Sequence, residues 1–137
     1  MADSPRASQG LIDTSVVIDL DQIDAEQLPK ELAISALTMA ELAAGPHATA
    51  DAGERARRQD RLQRAEATFD PLPFDADSAR AYGRIYAAIV ATGRKARGPR
   101  AIDLLIAATG MAANLPLYTR NIDDFRGIGH LLTIVAV

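Results

Sequence analysis

Four acidic positions recur at one kind of place in this chain, just after an apolar run or in the first turn of the segment that follows. They are Asp13 in "GLIDTSVVIDL", Glu41 in "TMAELAAG", Asp103 in "AIDLLIAATG", and Asp124, with Asn121 beside it, in "RNIDDF". Each has an ordinary reading. Asp13 caps the helix that follows, Glu41 stands three residues after Thr38 at capping-box spacing, Asp103 lies in a first helical turn, and Asn121 with Asp124 forms another cap-like pair. Taken together they ask for more, because a parallel sheet brings strand ends and helix starts to one edge. Several ionised carboxylates gathered there need a cation between them. Asp103 adds weight: it is the one charge in a helix that is otherwise apolar all round, where an unpaired carboxylate is costly.

Oxygen donors in a chain with no cysteine select a hard divalent ion, Mg²⁺ with Mn²⁺ as its substitute. Such an ion suits phosphodiester hydrolysis, since it polarises the phosphate and generates hydroxide from water near neutral pH. Thr14 and Ser15 follow Asp13 and have two open readings, a hydroxyl that orients the carboxylate or a second helix cap. His47 and His130 lack zinc-ligand spacing and read as surface residues.

The elements that must place the acids alternate. Met1 to Gln9 read as a disordered lead-in, and a single domain is expected over residues 10–137. "GLID" reads as a buried strand followed by a helix, "ELAISAL" as a second strand, and "TMAELAAGPH" as a helix opened by Thr38 and stopped near Gly45 and Pro46. Asp51 to Phe69 forms an exposed, charged helix, and "DPLPF" a short extended segment. The next helix sets Ala79, Tyr82, Ile85, Tyr86, Ile89 and Val90 on a packed face. After the basic loop "GRKARGPR" come the apolar helix of Asp103, the strand "PLYT", a turn, and the strand "LLTIVAV". Apolar strands alternating with helices predict an α/β fold, a three-layer α/β/α sandwich with a mainly parallel sheet.

The chain has 137 residues, 48% of them hydrophobic and only 4% aromatic, so alanine and leucine must fill much of the core. No apolar run approaches the roughly 20 residues of a membrane span, and the N-terminus lacks a signal-peptide core, so a cytoplasmic protein is expected. A net charge of −3 excludes a globally basic coat, yet Arg94, Lys95, Arg97 and Arg100 gather just before Asp103 with no acid among them. They read either as contacts to RNA phosphates or as a solvated loop. Arg57, Arg61 and Arg64 form a stripe on the charged helix, read as a solvated or partner-facing surface. Tyr82 and Tyr86 read as core or as dimer interface.

In order and spacing, "LIDTSVVIDL", "TMAELAAG", "AIDLLIAATG" and "LYTRNIDDF" resemble the PIN domain, specifically the VapC-type ribonuclease toxins of type II toxin–antitoxin pairs. The resemblance spans Gly10 to Val137. It implies a Mg²⁺-dependent endoribonuclease in which Asp13, Glu41 and Asp103 occupy the first three acidic positions, and Thr119 matches the threonine before the last motif. Where many relatives carry Asp two residues after that threonine, this chain has Asn121, with Asp124 following. Asn121 ligates through its carbonyl oxygen but removes a charge, so both residues are candidates, and a degenerate module that keeps only antitoxin or RNA binding is the alternative. The resemblance further implies a homodimer and a cognate antitoxin whose C-terminal segment lies over the active-site groove. A haloacid-dehalogenase phosphatase would need a second Asp where Ser15 stands, and a receiver domain a lysine late in the chain, whereas the lysines are Lys30 and Lys95.

Overall fold

In the computed structural model, which describes residues 6–98 and 100–137, the first apolar run is strand β1 (Gln9–Ile12), and Asp13 turns the chain directly into helix α1 (Thr14–Ile18). Strand β2 (Glu31–Ala33) and helix α2 (Ala36–Ala44) follow, then the long helices α3 (Ala52–Thr68) and α4 (Ala76–Ala91). Helix α5 (Arg100–Ala113) leads to strand β3 (Leu117–Thr119), a short 3-10 helix (Ile122–Phe125) and strand β4 (Ile134–Ala136).

The four strands are all parallel, in the order β2-β1-β3-β4, with Leu11 opposite both Ala33 and Leu117. Their alternation divides the core into two. Leu11 and Leu117 pack against Ile85 and Ile89 of α4 and Leu104, Ala107 and Ala108 of α5. Ile12 and Tyr118 face the other way, onto Val16 of α1, Leu42 of α2 and Ala65 of α3. Helices on both faces make the expected α/β/α sandwich, because a parallel sheet buried on both sides needs two apolar covers. Among the described residues no helix is long and apolar enough to cross a membrane.

Several expectations need correction. Residues 6–9 are not a loose lead-in: the backbone N–H groups of Lys30 and Glu31 donate to the carbonyls of Ala7 and Ser8, and Arg6 Nε donates to that of Leu28. Met1 to Pro5 of that segment lie outside the described residues. Helix α2 opens at Ser35, whose Oγ accepts from the Leu37 N–H at 2.8 Å, while Thr38 is buried inside the helix. The capping-box reading of Glu41 therefore fails. The packed face of α4 is rotated from the predicted one: Ser78, Ala81, Ile85 and Ile89 are buried, whereas Tyr86 and Val90 are 48% and 53% exposed. Tyr86 leans on Tyr82 instead, with ring centroids 6.1 Å apart. Arg100 belongs to α5, not to the basic loop. "DPLPF" contributes a single parallel bridge, Leu72 to Ser35, and the last strand starts only at Ile134 because Leu131 and Leu132 close a turn onto the Ile128 carbonyl.

At the start of β1 the sheet tolerates only a hydrogen as side chain. A Cβ on Gly10 would lie 2.5 Å from Tyr118 Cε1 and 2.9 Å from Pro29 Cγ. Gly10→Ala is expected to cost about 1–3 kcal/mol through overpacking, read as a lower urea midpoint at unchanged slope. An unchanged midpoint would mean that the tyrosine ring shifts freely.

Candidate active site

Strand β1 has β2 on one side and β3 on the other, and the chain leaves it toward β2. Its carboxyl end is thus a switch point of the sheet, the place where open α/β folds form their clefts. Asp13 stands there, 4% exposed, with its backbone N–H donating to the Tyr118 carbonyl of β3 at 3.1 Å. Its Oδ1 accepts from the Val16 N–H at 3.1 Å and from Ser15 Oγ at 2.5 Å. Asp13 is therefore the N-cap of α1 as the ordinary reading has it, but the cap uses one oxygen. Among the described residues Oδ2 accepts no hydrogen bond and is not a sealed, unpartnered atom.

Glu41 reaches the same edge from the second turn of α2. Thr14 Oγ1 donates to Glu41 Oε1 at 2.6 Å, and the Thr14 and Thr38 hydroxyl oxygens are 3.1 Å apart. A hydroxyl has one proton, and the carboxylate is the stronger acceptor, so Thr38 donates to Thr14 and Thr14 to Glu41. Both hydroxyls after Asp13 thus orient carboxylates: Ser15 holds Asp13, and Thr14 holds an acid on another helix. Ser15 Oγ also accepts from the Arg120 N–H at 3.1 Å, which ties α1 to the chain leaving β3.

Asp103, half-buried in the first turn of α5, completes the gathering. Its pKa is pushed from the ordinary 3.8 up to about 6, by burial first and then by the negative charges of Asp124, Glu41 and Asp13, with Arg100 opposing them. All four acids therefore share one electrostatic neighbourhood. Asp124 is half-buried, while Asn121 is exposed and makes no side-chain cap; its N–H donates to the buried Thr119 Oγ1 at 3.0 Å. Among the described residues no three of these groups stand at ligating distance from a common point. Glu41 and Asp13 each commit an oxygen to a hydroxyl. The donor set, oxygen only, fits a hard divalent ion.

The basic residues divide. Lys95 and Arg97 are exposed, but Arg94 donates to the carbonyls of Asp123 and Arg126, and Arg100 Nε is buried without an acceptor among the described residues. In the stripe on α3, Arg57 pairs with Glu54, and Arg64 with Asp60. A cavity of about 640 Å³ between α1 and α3 is lined by Ile18, Leu32, Arg61 and Phe69 among others and by none of the four acids. A second, of about 300 Å³, touches Thr14 and Glu41. Sequence reasoning missed Thr38, taken for a cap, and the Arg120–Asp19 pair at 3.4 Å, which joins residues a hundred positions apart and has no local signature.

A parallel α/β/α sandwich with carboxylates at its switch point defines a class, and the chain belongs to the PIN-domain family, whose pattern it matches over residues 11–131. It is 35% identical over 131 residues to Ribonuclease VapC5 of Mycobacterium tuberculosis, covering 93% of this chain and 92% of that one. It is 37% identical over 101 residues to Ribonuclease VapC8 of the same species, covering 73% of this chain and 88% of that one. The crystal structure of VapBC-5 from M. tuberculosis, a member of the VapBC family of toxin–antitoxin systems, superposes with a TM-score of 0.84 at 34% identity, over 95% of this chain and 99% of that chain. VapBC2 from Rickettsia felis, bound to a DNA fragment from its promoter, superposes at 0.75 with 25% identity, over 94% and 98%. The resemblance carried by the four motifs is borne out.

Asp103 also makes stability depend on pH. Its native pKa lies above the unfolded value, so between 3.8 and about 6 the native state binds more protons, and stability falls as pH rises through that window. Asp103→Asn is expected to raise the melting temperature at neutral pH in the presence of EDTA. The gain should vanish below the ordinary carboxylate range, where the wild-type group is protonated in both states. Thermal melts across pH check it, and a gain independent of pH would assign the effect to packing.

Proposed function

We propose that this chain is the toxin of a toxin–antitoxin pair, a Mg²⁺-dependent endoribonuclease that hydrolyses RNA phosphodiester bonds and so inhibits translation. It acts as a homodimer restrained by a cognate antitoxin. One observation carries the reading: Asp13, Glu41, Asp103 and Asp124 share a charge neighbourhood at the switch point of a chain whose relatives are named ribonucleases. VapBC assemblies among the similar structures support the antitoxin partner.

Asp13, Glu41 and Asp103 would hold the ion, with Asp124 as the fourth acid; when bound, it supplies an activated water and offsets charge on the phosphate. The chain's own residues do the rest. Ser15 fixes Asp13 and Thr14 fixes Glu41, so their rotamers are set before substrate arrives. Thr119 turns the chain out of β3 toward Asp124. Lys95, Arg97 and Arg100 lie in or beside the loop that precedes Asp103 and contact RNA phosphates. The degenerate-module alternative drew on Asn121, but Asp124 heads the charges acting on Asp103 and supports a full set of four acids.

The test is cleavage of total RNA by purified, antitoxin-free protein with Mg²⁺, with EDTA, and by the Asp13→Asn variant. Cutting should require the metal and fall about a hundredfold or more in the variant. A folded protein that cuts no RNA under any of these conditions would sink the reading. Thr14→Val is expected to lower kcat about tenfold with little change in KM, since it frees Glu41 without removing a charge.

A further inference from the structure

Asp124 differs from the other three acids in what holds it. Asp13 caps α1, Glu41 and Asp103 sit on regular helices, but Asp124 lies on the 3-10 helix Ile122–Phe125, and no hydrogen bond to its carboxylate forms among the described residues. Besides its own turn bonds, the segment is supported from outside. Arg94, just past the end of α4, extends its guanidinium so that Nη1 donates to the Asp123 carbonyl at 3.0 Å and faces that of Arg126 at 3.4 Å. These carbonyls flank Asp124 on either side. A second contact joins the same two segments. Gly127 has a φ of +101°, and a Cβ there would lie 2.8 Å from Thr92 Cγ2, so the chain turns back hard against the end of α4. Thr92 is in turn fixed by donating from Oγ1 to the Ile89 carbonyl at 2.6 Å.

We propose that Arg94 is a positioning residue for the acid cluster: it clamps the backbone on both sides of Asp124 and holds that segment toward Asp103, a task distinct from gripping RNA. The inference rests on the reading of the four acids as the active site. Both contacts come from one guanidinium nitrogen, Nη1, whose two protons serve two carbonyls and whose plane fixes their directions, whereas a lysine ammonium on a flexible stem fixes no such direction. The main chain it holds is a single 3-10 turn, closed by the Asp124 N–H on the Asn121 carbonyl and the Arg126 N–H on the Asp123 carbonyl and anchored by buried Phe125, and the clamp adds a tie to α4 that these local bonds do not supply. Arg94 thus leaves the basic loop's RNA-facing set, in which Lys95 and Arg97 remain exposed.

The test compares Arg94→Ala and Arg94→Lys with Arg97→Ala, through hydrogen exchange of the segment 121–127, RNA affinity in EDTA, and cleavage kinetics. Removing the clamp should speed exchange in that segment about tenfold or more while the sheet exchanges as before. It should lower kcat about ten- to a hundredfold and leave KM and RNA affinity within about twofold, as expected for a misplaced group, not a lost contact. Lysine should restore part of both effects, and Arg97→Ala should show the opposite split, with weaker RNA binding and normal exchange. Unchanged exchange in Arg94→Ala, or an effect confined to RNA affinity, would overturn the proposal. Were the wild type inactive, the ribonuclease reading would fall, while the exchange result would still decide whether Arg94 clamps the segment.

Discussion

The repulsion among Asp13, Glu41, Asp103 and Asp124 is the constraint around which this edge of the molecule is built. Burial first, and then the negative charges of Asp124, Glu41 and Asp13, push the Asp103 pKa up to about 6. A fold with no need for the cluster would scatter these charges. Here three of the four are held by local devices: a helix cap and a serine hydroxyl for Asp13, a threonine relay for Glu41, the first turn of a long helix for Asp103. The positive charge of Arg100 favours the ionised form of Asp103, but burial and three neighbouring negative charges outweigh it.

Parallel topology supplies the convergence. Because β1 and β3 are adjacent and point the same way, the turns after Ile12 and Thr119 meet at one edge, and the Asp13 N–H to Tyr118 carbonyl bond fixes how far each strand runs before turning. Ser15 then bridges the two turns by accepting from the Arg120 N–H while donating to Asp13. One short polar side chain couples the first acid to the segment that carries the last. Such coupling joins residues 105 positions apart, so it exists only once the sheet is formed.

Much of this was legible from apolar runs and punctuation. The strands after Gly10 and before Thr119, the helices, and the four acids at their junctions follow from local pattern, since a buried parallel strand reads as a continuous apolar run. What misled was local chemistry with more than one meaning. Thr38 has the residue type and the spacing of a cap, yet Ser35 stands earlier and takes the Leu37 N–H, so the helix is already under way when it reaches Thr38. Tyr86 and Val90 lie on the predicted helical face, but the side packed against α5 presents Ala81, Ile85 and Ile89. Arg94 carried a charge that suited phosphate, while the carbonyls it meets belong to a segment about thirty residues away, and no periodicity announces that.

The structural and chemical readings of an acid at a strand end are often posed as rivals, and Asp13 shows why they are not. A carboxylate has two oxygens with several acceptor positions, and capping α1 occupies Oδ1 alone. The cap fixes the side-chain rotamer, and the fixed rotamer decides where Oδ2 points. Removing the capping donors would therefore not liberate the acid for chemistry but blur it, at the cost of both helix stability and site geometry. Glu41 follows the same logic through Thr14, with one oxygen anchored and the other left free. The bonds that explain these residues structurally are the ones that make them usable as ligands.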